Sequence, residues 1–205
     1  MSCPLFLVGP SRSGTTFAEQ LLRLSPGICD DRYIPFPRWD FLAAMEVGGD
    51  TGQTPQLSRA LAWAEGKQEP YALIRLALPW AYTSLGWSHL WQYSPAAAIV
   101  TIARNWFDTW SSWLEMPHRK RLDQPAQQTA FREWHGTMVE GFRAGAKNHP
   151  KNCTTIAYEQ LLDQPDKVIA GVCNALGVLP PADTLQPLVR KPEHWSEGFA
   201  NWWEG

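Results

Sequence analysis

Apolar residues along this chain follow two different spacings, which predict strands and helices in alternation. Short, almost continuous apolar runs are typical of strands buried in a parallel sheet, and they occupy residues 5–8, 71–75, 96–103 and 153–157. Elsewhere apolar residues recur three and four positions apart, which predicts helices over residues 15–24, 41–47, 56–65, 80–93, 106–116, 126–147, 166–176 and 182–189. Strands that alternate with helices predict an α/β fold of three layers, with a central, mostly parallel sheet flanked by helices.

The loop after the first strand carries the first indication of chemistry. Residues 9–14, GPSRSG, lead directly into the first helix, where free backbone N–H groups and the helix dipole favour an anion. Gly9 and Gly14 have the spacing of a phosphate-binding P-loop, but Thr15 stands where that motif has lysine. In kinases this lysine reaches the β- and γ-phosphates, whereas here Arg12 is the cation of the loop. The loop is therefore predicted to bind a phosphate-like group without the lysine of a kinase.

Residues 10–16, PSRSGTT, resemble the phosphosulfate-binding loop of sulfotransferases, often written P-[KR]-S-G-T-T, with Ser11 inserted or substituted after the proline. Sulfotransferases use the sulfonate donor 3′-phosphoadenosine 5′-phosphosulfate (PAPS) and release its desulfonated product, PAP. The resemblance implies a P-loop fold in a single sulfotransferase-like domain over residues 1–205. It also implies that the 5′-phosphosulfate is held by Arg12, Ser13, Gly14, Thr15 and Thr16. Phe17 stands where several sulfotransferases have a tryptophan stacked on the base, and a role in the core is the alternative for its ring.

Two later stretches resemble the parts of a sulfotransferase that bind the rest of the donor. Residues 104–112, RNWFDTWSS, resemble an R-N-x-x-D-x-x-x-S stretch whose arginine and serine bind the 3′-phosphate, which implies that role for Arg104 and Ser112. An arginine at the carboxyl edge of a buried strand can grip an oxyanion with two hydrogen bonds. Residues 158–161, YEQL, resemble a Y-E-[DQ]-L segment whose tyrosine lies beside adenine, which implies that role for Tyr158. An exposed arginine, a surface serine and a packing tyrosine are the alternatives.

Near the C-terminus, Arg190 and Lys191 resemble an R-K-G stretch that closes over the 3′-phosphate in many cytosolic sulfotransferases. Pro192 stands in place of the glycine, and a proline offers no backbone N–H to a phosphate. The two cations are therefore expected either to contact the donor or to remain solvated.

The catalytic base is the residue that the motifs define least. Sulfuryl transfer needs a base within reach of the acceptor proton and cations that neutralise charge on the leaving phosphate. Cytosolic sulfotransferases have a K-x-H-x-P segment after the second strand; here Arg75 replaces the lysine and joins Arg12 as a cation, whereas Ala77 replaces the histidine. Other branches of the family use a glutamate after the first helix, which makes Asp31 the candidate base. Lesser candidates are Asp30, Glu46, His89 and His118.

Composition limits the partners of this domain. With 205 residues, 44% of them hydrophobic and 19% charged, the chain is expected to form one globular domain with a sizeable core. A net charge of −2 argues against nucleic acid or an anionic membrane surface as a partner, and no apolar run is long enough to span a bilayer. Because the first strand begins at Leu5, no signal peptide is expected, and the protein is expected in the cytoplasm. Twelve tryptophans leave room for an aromatic acceptor pocket.

The resemblance therefore implies a PAPS-dependent sulfotransferase that needs no metal and transfers a sulfuryl group to a hydroxyl or amine of a small molecule or glycan. The acceptor and the oligomeric state stay open. One alternative is a P-loop small-molecule kinase, which Thr15 in the lysine position argues against. The other is a nucleotide-binding homologue with impaired catalysis, which Ala77 favours.

Overall fold

Four parallel strands form the central sheet in the part of the chain that the structure describes. The computed structural model describes residues 2–29, 31, 55–78, 97–115 and 124–186. The strands lie in the spatial order β2-β1-β3-β4 and are β1 (Cys3–Pro10), β2 (Tyr71–Leu78), β3 (Ala98–Ala103) and β4 (Cys153–Ala157). All three pairings are parallel, and Leu5 of β1 lies between Leu73 of β2 and Ala98 of β3.

Helices cover both faces of this sheet. In the described part of the chain they are α1 (Thr15–Leu22), α2 (Pro55–Glu65), α3 (Trp106–Leu114), α4 (Pro125–Asn148), α5 (Tyr158–Asp163) and α6 (Pro165–Leu176). Successive residues of a strand point to opposite faces, and the core divides accordingly. Phe6 packs with Ala60 of α2 and Phe142 of α4, whereas Leu5 packs with residues of α1 and α6. None of the helices described here is both long enough and apolar enough to cross a membrane.

The α/β fold expected from the apolar pattern is confirmed, with two differences that have physical causes. Helix α5 was not expected, because its six residues are too few to show a helical period. The helix expected over 182–189 does not form in its described part, 182–186. There the N–H of Leu185 donates to Oδ1 of Asp166 rather than to a carbonyl four residues back. The helices expected over 41–47 and 80–93 lie outside the described residues.

The order of the strands decides where a ligand can bind. Strand β1 lies in the interior of the sheet, with β2, the next described strand along the chain, on one side and β3 on the other. The loops that follow β1 and β3 therefore leave the same edge of the sheet from neighbouring strands. In open parallel sheets this is the edge at which ligands bind.

Candidate functional site

The loop between β1 and α1 presents a helix N-terminus without a side-chain cap. Gly14 is the N-cap residue of α1, with φ of 91°. The N–H of Ala18 donates to the carbonyl of Gly14 (3.0 Å), so the N–H groups of residues 15–17 have no acceptor within the helix. Ser13 donates both its hydroxyl (2.7 Å) and its N–H (3.0 Å) to the carbonyl of Pro10, and so it shapes the loop. This geometry suits an anion at the start of α1.

Arg12 reaches from this loop to helix α3. Its φ of 76° lies in the left-handed region, which residues other than glycine seldom adopt. Its Nε donates to the carbonyl oxygen (3.2 Å) and to Oγ (3.1 Å) of Ser112. Its Nη2 lies 3.6 Å from a carboxylate oxygen of Glu115. The structure thus brings together Arg12 and Ser112, two of the expected site residues, and holds the arginine in the kind of strained backbone that clusters at functional sites.

Arg104 follows β3 directly and joins the same cluster. Its Nη1 donates to the carbonyl of Arg12 (3.3 Å), and its guanidinium lies 5.0 Å from the ring centre of Tyr158. Its Nε is buried and has no hydrogen-bond partner among the described residues. Leaving a buried donor without an acceptor costs about 1–3 kcal/mol, which an oxyanion bound here would recover.

Polar side chains hold the start of α3, immediately after Arg104. Asn105 caps the helix, since its Oδ1 accepts from the N–H of Phe107 (2.9 Å). The N–H of Asn105 itself donates to Oε1 of the buried Glu159 (2.8 Å). Sequence reasoning missed this supporting role of Glu159, although its position directly after Tyr158 in the YEQL stretch was a signal.

Tyr158 completes the cluster from the end of β4. Its ring packs so closely on Gly14 that a Cβ atom at Gly14 would overlap it. Burial raises the pKa of the Tyr158 hydroxyl, an effect that the nearby Arg104 partly offsets. The phenol is therefore neutral at physiological pH and can donate a hydrogen bond. Phe17, by contrast, is partly buried against the sheet core, in line with the packing alternative for that residue.

Arg75 of β2 approaches the loop from the opposite side. Its Nη1 donates to Oγ1 of Thr16, and its Nε lies 3.2 Å from Oε2 of Glu19. Glu19 is buried, and its Oε1 pairs with Arg23 (3.1 Å). Sequence reasoning missed Glu19. The available signal was a carboxylate on the face of α1 that carries its buried residues.

The residues expected to supply a base are placed less favourably. The carboxylate of Asp31 pairs with Lys67 and its carbonyl accepts from Arg23, so the described contacts of Asp31 are not with the loop. The Lys67 ammonium lowers the pKa of Asp31, which makes that carboxylate a weaker base. Ala77 is paired with Gly9 in the sheet, at the start of the loop. The position where cytosolic sulfotransferases have histidine therefore carries only a methyl group.

Several expected site residues lie outside the described residues, and their roles stay predictions. They are Asp30, Glu46, His89, His118, Arg190 and Lys191. Within the described ranges, no group of three or more histidine, cysteine, aspartate or glutamate side chains could hold a metal ion.

His135 supports Arg104 from helix α4, and its titration should be visible in the stability of the protein. It is buried against Phe131, and its ring donates a hydrogen bond to the backbone carbonyl of Arg104. Burial lowers the pKa of His135 from 6.5 to about 4. Between these values the unfolded chain binds a proton that the folded chain does not, so the free energy of unfolding should fall as pH drops from 6.5 to 4. The loss amounts to up to about 3 kcal/mol.

Urea unfolding at a series of pH values measures this loss. His135→Gln keeps a donor for the Arg104 carbonyl but cannot titrate, so its stability should depend less on pH over the same interval. His149→Gln, at the exposed C-terminal end of α4, is the matched control and should keep the wild-type dependence. Parallel pH curves for His135→Gln and the wild-type protein would show that another group is responsible.

The fold is shared with solved sulfotransferase structures. A sulfotransferase from Alicyclobacillus acidocaldarius is 15% identical, with 95% of this chain and 87% of that chain covered and a TM-score of 0.60. The sulfotransferase domain from the curacin biosynthetic pathway is 12% identical, with 100% and 87% covered and a TM-score of 0.58. Mouse sulfotransferase SULT7A1 complexed with PAP is 19% identical, with 86% and 59% covered and a TM-score of 0.50. At these identities the likeness is one of fold.

Sequence comparison gives the family. No curated protein matches the chain at a significant level. The model of the Sulfotransferase family, however, matches residues 61–180, which is more than half of the chain and includes Arg75, Arg104, Ser112 and Tyr158. The loop over residues 9–16 precedes the matched residues, so the proposal of an anion site there rests on the geometry of the loop alone. The chain therefore belongs to the sulfotransferase family.

Proposed function

We propose that this protein transfers a sulfuryl group from PAPS to a hydroxyl or amine of a small molecule or glycan, in the cytoplasm. The observation that carries the proposal is the meeting of Arg12, Arg104, Ser112 and Tyr158 around the start of α1. Two guanidinium groups and an uncapped helix N-terminus suit a nucleotide that is charged at both ends. The presence of PAP in one of the structural neighbours supports the choice of donor.

The described residues fit the two charged ends of this donor. The N–H groups of residues 15–17 suit the 5′-phosphosulfate, with Arg75 beside them. Arg104 and Ser112 suit the 3′-phosphate, because that group would supply an acceptor for the buried Nε of Arg104. Arg12 extends from the loop to Ser112 and so can serve either end. The ring of Tyr158, which packs on the loop, would border the adenine.

The residues of this chain would do two things in the reaction: neutralise the charge on the leaving phosphate and accept the proton of the acceptor group. PAPS supplies a sulfuryl group whose bond to the phosphate breaks as PAP leaves. Arg12 and Arg75 would neutralise the negative charge that develops on the 5′-phosphate. Asp31 stays the proposed base. Because Lys67 lowers its pKa, Asp31 is ionised at neutral pH and can accept a proton, although with less driving force than an ordinary carboxylate.

A second candidate function is donor binding with little or no transfer. Two observations favour it. Ala77 carries no proton-accepting group beside the loop, and the carboxylate of Asp31 is already paired with Lys67.

Transfer of label from radioactive PAPS to a panel of phenols, alcohols, amines and oligosaccharides tests the proposal. We expect at least one labelled acceptor, with PAP formed in equal amount. Donor binding without labelled product across the panel would support the second candidate, and magnesium-dependent turnover of ATP would instead support a kinase. Asp31→Asn identifies the base: loss of transfer with unchanged PAP binding would assign that role to Asp31.

A further inference from the structure

A chain of buried charges runs along one face of α1, next to the loop. Thr16, Glu19 and Arg23 are three and four residues apart, so they follow the same side of the helix. On that side Arg75 of β2 contacts the Thr16 hydroxyl and, through Nε, Oε2 of Glu19 (3.2 Å). Arg23 binds the other carboxylate oxygen of Glu19 (3.1 Å), and the side chains of Arg23 and Glu19 are only 4% and 2% exposed.

We propose that Glu19 is a positioning residue, which holds Arg75 against the loop so that this arginine serves the 5′-phosphate end of the donor. The inference rests on the proposed function, because it concerns the same donor site. Glu19 accepts the Nε–H of Arg75, while Nη1 of the same guanidinium is directed at Thr16. A planar guanidinium held at two points has little freedom left to lose when it meets an anion.

The charges of this cluster support a role toward an anion. Two guanidinium groups and one carboxylate give one net positive charge to this cluster, which extends from Arg75 near the start of α1 to Arg23 at its C-terminal end. Arg23 also donates to the backbone carbonyls of Cys29 (2.6 Å) and Asp31, away from the loop. Arg75 is therefore the member of the cluster that faces the donor site. A buried carboxylate is costly unless its oxygens are paired, and Glu19 has one arginine on each oxygen.

Two possible roles of Glu19 lead to opposite changes when its charge is removed. If Glu19 were only a counter-charge, its neutralisation would increase the positive charge near the loop and tighten the binding of anions. If Glu19 positions Arg75, its neutralisation releases that side chain and weakens binding at the 5′ end of the donor. The sign of the change in affinity therefore separates the two roles.

Calorimetry with PAP and with adenosine 3′-phosphate, which lacks the 5′-phosphate, isolates the contribution of the 5′ end. We expect Glu19→Gln to weaken PAP about tenfold and to leave the affinity for adenosine 3′-phosphate unchanged. Arg75→Lys keeps the charge but not the planar fork that bridges Thr16 and Glu19, so we expect the same pattern. Glu140→Gln removes the carboxylate that pairs with Arg143 on the surface of α4, and it should change neither affinity.

Two results with Glu19→Gln would overturn the inference. Tighter binding of PAP would make Glu19 a counter-charge, and equal losses for the two ligands would make it a residue of general stability. If Glu19→Gln fails to fold, Arg75→Lys tests the inference instead. An unchanged preference of that variant for PAP over adenosine 3′-phosphate would exclude Arg75 from the 5′ end of the donor and so overturn the inference. Failure of the wild-type protein to bind PAP would overturn the proposed function itself. Because PAP binding by the wild-type protein is measured without any variant, failure of the proposed function can be told apart from failure of the inference about Glu19.

Discussion

Arg104→Ala is expected to weaken PAP binding about a hundredfold, because hydrogen bonds to a charged group contribute about 1.5–3 kcal/mol. The guanidinium leaves β3 at the edge where the loop lies, rests on the Tyr158 ring, and has a buried Nε without a partner among the described residues. Adenosine 5′-phosphosulfate lacks the 3′-phosphate and should lose much less affinity. Calorimetry with the two ligands measures the difference.

A matched control for this substitution is Arg132→Ala. Arg132 is an exposed arginine of α4 that lies over an aromatic ring, that of Trp106, with 5.3 Å between its guanidinium and the ring centre. Its removal should leave both affinities unchanged. Equal losses of PAP and adenosine 5′-phosphosulfate on Arg104→Ala would remove Arg104 from the 3′-phosphate and leave it a structural role only.

Gly14→Ala is expected to lower the free energy of unfolding by about 3 kcal/mol, since two penalties add. A residue with a side chain is strained at φ of 91°, and the new Cβ would overlap the ring of Tyr158. Displacement of that ring also removes the surface on which Arg104 rests, so PAP affinity should fall as well. Urea unfolding gives the stability and calorimetry gives the affinity.

Gly177→Ala separates the two penalties. Gly177 caps α6 with φ of 69°, but among the described residues no atom beyond its two chain neighbours lies within 4 Å of the position that a Cβ would take. This variant should lose only the backbone share, about 1 kcal/mol, and should bind PAP as the wild-type protein does. If the two variants were equally stable, the overlap between the new Cβ and the Tyr158 ring would carry no penalty.

The sheet could be predicted from the sequence because its strands are buried on both faces. All six residues of β3 are buried, so the strand is an almost unbroken apolar run, and its polar exception, Thr101, donates its hydroxyl to Thr155 of β4 (2.9 Å). The order of the strands and their register cannot be inferred from such apolar runs, since any apolar strand could pair with any other. Helix α5 was missed for a related reason, because six residues carry too little periodicity.

The residues proposed to bind the donor could be predicted where they belong to short consecutive motifs. Arg12, Arg104 and Tyr158 each lie within such a motif, and the structure brings them into contact. The contact of Arg12 with Ser112 joins residues 100 positions apart and depends on the pairing of β1 with β3. Glu19 could not be linked to Arg75 by pattern alone, because the pair forms only when α1 packs on β2.

Whether Asp31 can act as the base could not be predicted from the sequence, for a similar reason. Whether a loop carboxylate can accept a proton depends on its neighbours, and Asp31 is paired with Lys67, which follows α2. A salt bridge between segments so far apart in the chain is decided by tertiary packing. Its effect, a lowered pKa of Asp31, is therefore invisible in the sequence.

Titration of the purified protein with PAP and with ATP, by calorimetry without magnesium, tests the central claim most directly. Both ligands carry adenine and a 5′-phosphate, but PAP alone has the 3′-phosphate that Arg104 and Ser112 are proposed to bind. We expect PAP to bind far more tightly than ATP. Equal affinities, or no binding of PAP, would contradict a PAPS site at the loop after β1.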